Sequence, residues 1–344
     1  MGDTADQHLA SFFSNMNRNT LTYFENFSSC GIGPEACLAL NNHGISLRTL
    51  KLALNDEGLP GLGKLQDCTN LEALKLVDLR PPHDLQASQK DVFSDMVAWL
   101  KDCVSLKEIT LINFLSAPGI LTDIFNHGNI QLEKLEVNAT TDNCLYVMRD
   151  NHAFHESLSR QRNLRSLLLR ADPDPPSRDD LETLLNALCS LTELRELKLS
   201  RTSDYFTDAH IQALTSHLTS LEELYTSGYG ISDRVLGNLA QLKNLKNVSF
   251  SGITTFSKSG LLQFVENVKG VNQGLVFAVD AADPDRCLTD PAQDAVRRAF
   301  VNDVQGRFEY QLLRGSSPFG RHICAVTNPS LDPNVSEFSQ SDSD

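Results

Sequence analysis

Residues 164–169 read Leu-Arg-Ser-Leu-Leu-Leu, and residues 194–199 read Leu-Arg-Glu-Leu-Lys-Leu. The same L-x-x-L-x-L spacing is present earlier as Leu47, Leu50 and Leu52, and as Leu71, Leu74 and Leu76. It returns as Leu106, Ile109 and Leu111, and as Leu132, Leu135 and Val137. Downstream it weakens to Leu221, Leu224 and Thr226 and then to Leu245, Val248 and Phe250, and a faint first copy stands at Leu21 and Phe24. From Leu21 to Leu245 the copies advance in eight steps that average 28 residues, with insertions between units while the core segment keeps its length. Leu accounts for 52 of the 344 residues, the compositional trace of an internal repeat.

Side chains alternate along a strand, so the fourth and sixth residues of the motif point to one side and enter a core, with the first Leu packed at the strand's start. Between copies the spacing changes to three and four, as in Ile211 and Leu214 within 207–217 and Leu218 just after it, which predicts helices. Residues 232–242, with Val235, Leu236 and Leu239 on one face, predict another. A single strand-loop-helix unit cannot bury its apolar face. Stacked units can, between an inner parallel sheet and outer helices.

Eight good copies at one spacing resemble the leucine-rich-repeat family, over roughly residues 8 to 280. The fold class expected is therefore α/β, a right-handed leucine-rich-repeat solenoid, or horseshoe. Cys68-Thr-Asn-Leu71 and Cys103-Val-Ser-Leu106 place a Cys three residues before the first Leu, as in the repeats of F-box proteins. The stretches Leu9–Met16, Asn19–Glu25 and Gly31–Gly33, with Asn272–Leu275, Ala282–Asp285 and Gly306–Tyr310, are similar to the repeat region of filamentous-fungal F-box proteins. That resemblance implies substrate recognition in a ubiquitin-ligase receptor, whose F-box docks on the Skp adaptor of a cullin ligase. Here the chain opens inside what reads as an outer helix, Leu9 to Met16, so the F-box itself is expected to be absent, through truncation or because the protein is free-standing. The Asn or Cys that such repeats carry after the strand is present only as Asn55, with Leu79, Phe114 or Ile253 elsewhere, so the turns are expected to rest on apolar packing.

These readings divide the chain into a solenoid of about nine units at 1–280, a C-terminal cap at 281–315 and a disordered acidic Ser/Asp tail at 316–344. In the cap, Thr289-Asp290-Pro291 predicts a helix running to about Asp303, followed by a closing strand over Arg307 to Leu313. In the tail, Ser339 and Ser341 each precede an acid by three residues, a spacing that suits an acidophilic kinase and that also arises by chance in such a composition. Arg80–Asp84 and Asp172–Ser177, each with a Pro pair, predict rim loops.

Thirty Lys and Arg against 44 Asp and Glu give a net charge of −14, which disfavours nucleic acid and anionic membrane as partners. The eight Cys include no CxxC, the opening Gly2-Asp-Thr-Ala-Asp6 is polar where a signal peptide is apolar, and no apolar run reaches membrane length. The expected location is intracellular, cytoplasmic or nuclear, with reduced thiols acting as small buried hydrophobes. His152-Ala-Phe-His155 would place two rings on one helix face, but no further ligand follows at zinc spacing. Gly31-Ile-Gly33 reads as a turn, the lone Trp99 as core, and no GxSxG or Walker motif occurs. No catalytic residue, metal or cofactor is expected.

The remaining candidate is the concave face, where outward strand residues of a solenoid meet partners. Its outward positions carry mixed charge. Leu168 beside Arg170, followed by Lys198 and Tyr225 on succeeding units, has the aromatic and Arg composition of binding hot spots, with Lys134 and Glu196 alongside. A solvated strand face with incidental apolar residues would show the same letters. The function expected is non-catalytic recognition of a protein partner there, with ubiquitin-ligase components if an F-box is supplied upstream. A stand-alone repeat scaffold and a GTPase-activating repeat protein are the alternatives, although no Arg-bearing rim motif of the latter is present.

Overall fold

The computed structural model describes residues 2–28, 32–56, 58–80, 82, 84–172, 174 and 177–312. Its strands are β1 (Tyr23–Asn26), β2 (Thr49–Leu54), β3 (Ala73–Asp78), β4 (Glu108–Ile112), β5 (Lys134–Asn138), β6 (Tyr146–Val147) and β7 (Ser166–Asp172). They continue with β8 (Glu196–Ser200), β9 (Glu223–Thr226), β10 (Tyr229–Ile231), β11 (Asn247–Phe250), β12 (Ile253–Thr254), β13 (Val276–Ala282) and β14 (Arg307–Leu312). The helices are α1 (Gly2–Asn15), α2 (Pro34–Leu40), α3 (Gly58–Gly61), α4 (Leu85–Ser88), α5 (Lys90–Asp102) and α6 (Ala117–His127). They are followed by α7 (His152–Leu158), α8 (Arg178–Cys189), α9 (Asp208–His217), α10 (Leu236–Leu239), α11 (Lys258–Val268) and α12 (Asp290–Val304).

The main ladder runs β1-β2-β3-β4-β5-β7-β8-β9-β11-β13-β14, every pairing parallel. The registers follow the motif. Leu50, Leu74, Ile109, Leu135, Leu167 and Leu197 are lateral neighbours, as are Leu52, Leu76, Leu111, Val137, Leu169 and Leu199 two residues on. All of them are at most 3% exposed, so each contributes the burial of a whole aliphatic side chain, about 1.5–3 kcal/mol. The degraded copy at Thr226 is tolerated because its buried hydroxyl finds partners at 2.9 Å on Ser203 Oγ and 3.0 Å on the Ser227 carbonyl.

Several expectations hold locally. Thr207 precedes α9, with Ile211, Leu214 and Leu218 buried. Trp99 is 2% exposed and its Nε1 donates to the Cys68 carbonyl at 3.2 Å. Cys37, Cys68 and Cys103 are buried free thiols, with burial pushing Cys68 and Cys103 up to about 12. Gly33 leads into α2, where Asp6 from α1 accepts from the backbone N–H groups of Gly33, Glu35 and Ala36 at 2.8–3.0 Å. A carboxylate of the chain itself thus occupies the donors a phosphate loop would need. Helix α12 and strand β14 stand where the cap helix and closing strand were expected, although the 280/281 boundary falls inside β13. The tail at 316–344, with Ser339 and Ser341, lies outside the described residues, as do parts of the two Pro-paired loops.

Two expectations are corrected. The single helix over 232–242 is a 3₁₀ turn at Asp233–Val235 followed by the one-turn α10. Val235, Leu236 and Leu239 are buried, but Gly237 and Asn238 supply little helix propensity to extend it. The turns after the strands rest on apolar packing only in part: Phe114 is 3% exposed within the core, but Leu79 is 48% exposed. Amides and hydroxyls stitch them as well. Asn113, at φ 65°, donates to the Asp78 carbonyl and accepts from Thr140 N, and Ser203 Oγ donates to the Leu199 carbonyl and accepts from Ser227 N.

At the opposite ends of the strands, the residue after each first Leu forms another lateral row. Arg48, Glu72, Lys107 and Glu133 come first, each backbone N–H donating to the carbonyl of the one before at 2.7–2.8 Å. Arg165, Arg195, Glu222 and Lys246 continue the row with the same bonds.

Candidate recognition surface

Parallel register brings together the residues proposed from sequence. Glu136, Leu168, Lys198, Tyr225 and Ser249 occupy one lateral row, on β5, β7, β8, β9 and β11. Lys134, Ser166, Glu196 and Glu223 form the row two residues earlier, and Arg170 lies two residues after Leu168. All six predicted residues therefore share the solvent-facing side of four adjoining strands. At the usual strand separation, β5 to β9 spans roughly 14 Å. Lys134 is exposed and the other five are half-buried.

Lys198, Glu196 and Arg170 are already engaged. Lys198 Nζ lies 3.0 Å from Glu223 Oε2, and Glu196 Oε2 accepts from Ser166 Oγ at 3.0 Å. Arg170 donates to the Ala139 carbonyl at 2.8 Å and to Asp142 Oδ1 at 3.4 Å, and that oxygen also meets Arg201 Nη1 at 2.7 Å. Arg170 thus braces the loop after β5 and is less available to a partner than its sequence position implied. The apolar centre of the strip falls to Leu168 and Tyr225.

Sequence reasoning missed the flanking loops. Arg201 has φ 61°, the left-handed region that non-glycine residues rarely occupy, and its side chain doubles the cation on Asp142. Tyr205 and Tyr229 are 42% and 68% exposed at the ends of successive units, held together by Tyr229 N donating to the Phe206 carbonyl at 2.8 Å. Gly252 lets the next unit close against this loop: a Cβ there would lie 2.0 Å from the Gly228 oxygen. Burial raises the Asp204 and Asp280 carboxyls, opposed by hydroxyl donation from Ser227 and Ser249. Aromatic residues in short post-strand loops were the available signal.

The His pair does not form a common site. His152 is about half exposed, 3.6 Å from Asp180 Oδ1, on a cleft also lined by Glu156, Thr183 and Asn186. His155 is fully buried, with Nε2 3.4 Å from the Tyr146 hydroxyl and Nδ1 without a hydrogen-bond partner among the described residues. No group of three or more His, Cys, Asp or Glu converges as metal ligands among the described residues. Burial pushes His155 down to about 4, Asp180 favouring and His152 opposing its charge. Since the folded value is below the ordinary 6.5, the unfolded chain binds the extra proton between pH 6.5 and 4. Stability therefore falls as pH drops through that window, by up to about 3 kcal/mol. Urea midpoints measured from pH 7.5 to 4 should show this fall in wild type and a flatter profile in His155→Gln; equal slopes would remove His155 as the cause.

With this geometry in hand, the chain can be set beside known proteins. No protein-family model and no curated protein sequence matches it. Among solved structures, a chain of the yeast Rad7–Elc1 complex superposes with TM-score 0.50 and 16% identity, covering 86% of each chain. The fold is a leucine-rich-repeat solenoid. An internalin from Listeria monocytogenes gives TM-score 0.46 and 15% identity, covering 81% of this chain and 71% of the other. A Bacteroides fragilis protein gives 0.40 and 12%, covering 70% and 75%. In this solenoid no described helix is long and apolar enough to cross a membrane.

Proposed function

We propose that the chain recognises a protein partner, without catalysis, across the sheet face of β5, β7, β8 and β9. The observation that carries this reading is the single row Leu168–Lys198–Tyr225 on adjoining strands, an aliphatic and an aromatic side chain on either side of a lysine whose charge is paired with Glu223. Such a centre loses its water on contact, and hot-spot truncations there cost 2 kcal/mol or more, about 30-fold in affinity. Leu168→Ala and Tyr225→Ala are each expected to weaken a partner recovered with the full chain by roughly that factor, whereas Lys134→Ala at the exposed margin changes it little. Unchanged affinity in the Leu168→Ala/Tyr225→Ala double variant, by calorimetry, would refute the assignment.

The finer reading is the substrate-recognition part of an F-box-type ubiquitin-ligase receptor, inside the cell, cytoplasmic or nuclear. The motif-level likeness to fungal F-box repeats supports it, together with the shared fold of a chain from a structure in which Rad7 is complexed with Elc1. Co-purification of the gene's complete product with a Skp adaptor is the expected result. Its failure would leave a repeat scaffold that uses the same face.

A further inference from the structure

The charged row at the strand starts alternates in sign from Arg48 to Arg165, each residue beside an opposite one, and alternates again from Arg195 to Lys246. Ion pairs follow this order: Arg48 with Glu72 at 3.6 Å, Arg165 with Glu133 at 3.3 Å, Arg195 with Glu222 at 3.6 Å and Lys246 with Glu222 at 2.6 Å. The order breaks once. Arg165 and Arg195 are immediate neighbours, Arg195 N donating to the Arg165 carbonyl at 2.8 Å. Like charges side by side are unfavourable, and the two side chains pair in opposite directions, away from each other.

The turn leading into Arg165 adds to the excess. It carries Arg160 and Arg162, both exposed and without an ion-pair partner among the described residues. The equivalent positions hold Asp67 and Thr69, or Asp102 and Val104, in earlier units. Four arginines thus fall at one junction of the repeat, on the edge of the sheet away from the loops that carry Tyr205 and Tyr229, and no carboxylate among the described residues engages Arg160 or Arg162.

We propose that this junction is a second docking surface, which takes an acidic segment of a partner polypeptide, its carboxylates reaching Arg160 and Arg162 and sharing Arg165 and Arg195 with Glu133 and Glu222. The planar guanidinium fork matches a carboxylate through two parallel hydrogen bonds. A continuous phosphate backbone fits less well, because Glu133 and Glu222 flank the cluster in the same row, Glu193 adjoins it, and the chain carries −14 overall. The surface is separate from the Leu168 strip, so either can fail while the other stands.

The test titrates the full chain with a labelled oligo-glutamate peptide at low salt, reading anisotropy, beside a single-stranded oligonucleotide of the same charge. The peptide is expected to bind, and Arg162→Glu/Arg195→Glu to weaken it about tenfold or more, as loss of charge-assisted hydrogen bonds requires. Lys243→Glu, on the same edge but two units away, should leave the affinity unchanged, and circular dichroism should show all variants folded. Peptide affinity unaltered by the double reversal, equal damage from Lys243→Glu, or tighter binding of the oligonucleotide would each overturn the proposal.

Discussion

Phe277→Ala is expected to lower unfolding stability by about 3–5 kcal/mol, the range for truncating a fully enclosed aromatic side chain. Phe277 on β13 has no exposed surface, and its ring meets Phe250, Phe256, Phe264, Phe300 and Phe308 at centroid separations of 5.4–6.2 Å. These rings come from β11, the loop before α11, α11 itself, α12 and β14, so one side chain joins the last repeat to the closing helix and strand. In a solenoid each unit is supported only by its neighbours, and damage here should release the end before the middle. Hydrogen exchange in α12 and β14 should accelerate well before exchange in β2 to β5. A urea midpoint within error of wild type would show that the cluster can close over the cavity.

Breaking the Asp78–Arg80 pair should cost a similar amount, by a different mechanism. Arg80 Nη2 lies 2.7 Å from Asp78 Oδ2 and Nε 2.8 Å from Oδ1, which also accepts from Arg80 N at 3.0 Å. Both side chains are at most 3% exposed. Removing one partner leaves a buried charge uncompensated, a loss of about 3–5 kcal/mol, whereas replacing both with apolar residues of similar size is often neutral. Arg80→Ala should therefore be strongly destabilising and Asp78→Leu/Arg80→Met much less so, as read from chemical denaturation. If the double variant is as unstable as the single, the pair supplies more than mutual neutralisation, and its turn geometry is what the loop requires.

How far the sequence could be read depended on the range of the interaction. The inward positions from Leu50 to Phe250 were legible because burial imposes a period of two within each strand and a fixed motif across units. The helix at 232–242 was not, because its apolar spacing survives in a 3₁₀ turn followed by a single α-turn, and burial cannot distinguish them. The turns were only partly legible for a related reason: without Asn at the family position, nothing local indicated that Asn113, Thr202 and Ser203 would bond to the neighbouring unit.

The candidate strip divides in the same way. Leu168, Lys198 and Tyr225 could be chosen as outward residues from alternation alone, but that they stand side by side depends on register. That Arg170 is held by Ala139 and Asp142 depends on a loop from another unit. By itself, the sequence determined a leucine-rich parallel stack, its core positions and its outward-facing candidates, since hydrophobic periodicity is local and repeated. Only the tertiary structure decided which charges became neighbours, from the spent Arg170 to the like-charged pair Arg165 and Arg195, because lateral contacts join residues about one repeat apart and no short-range pattern encodes their pairing.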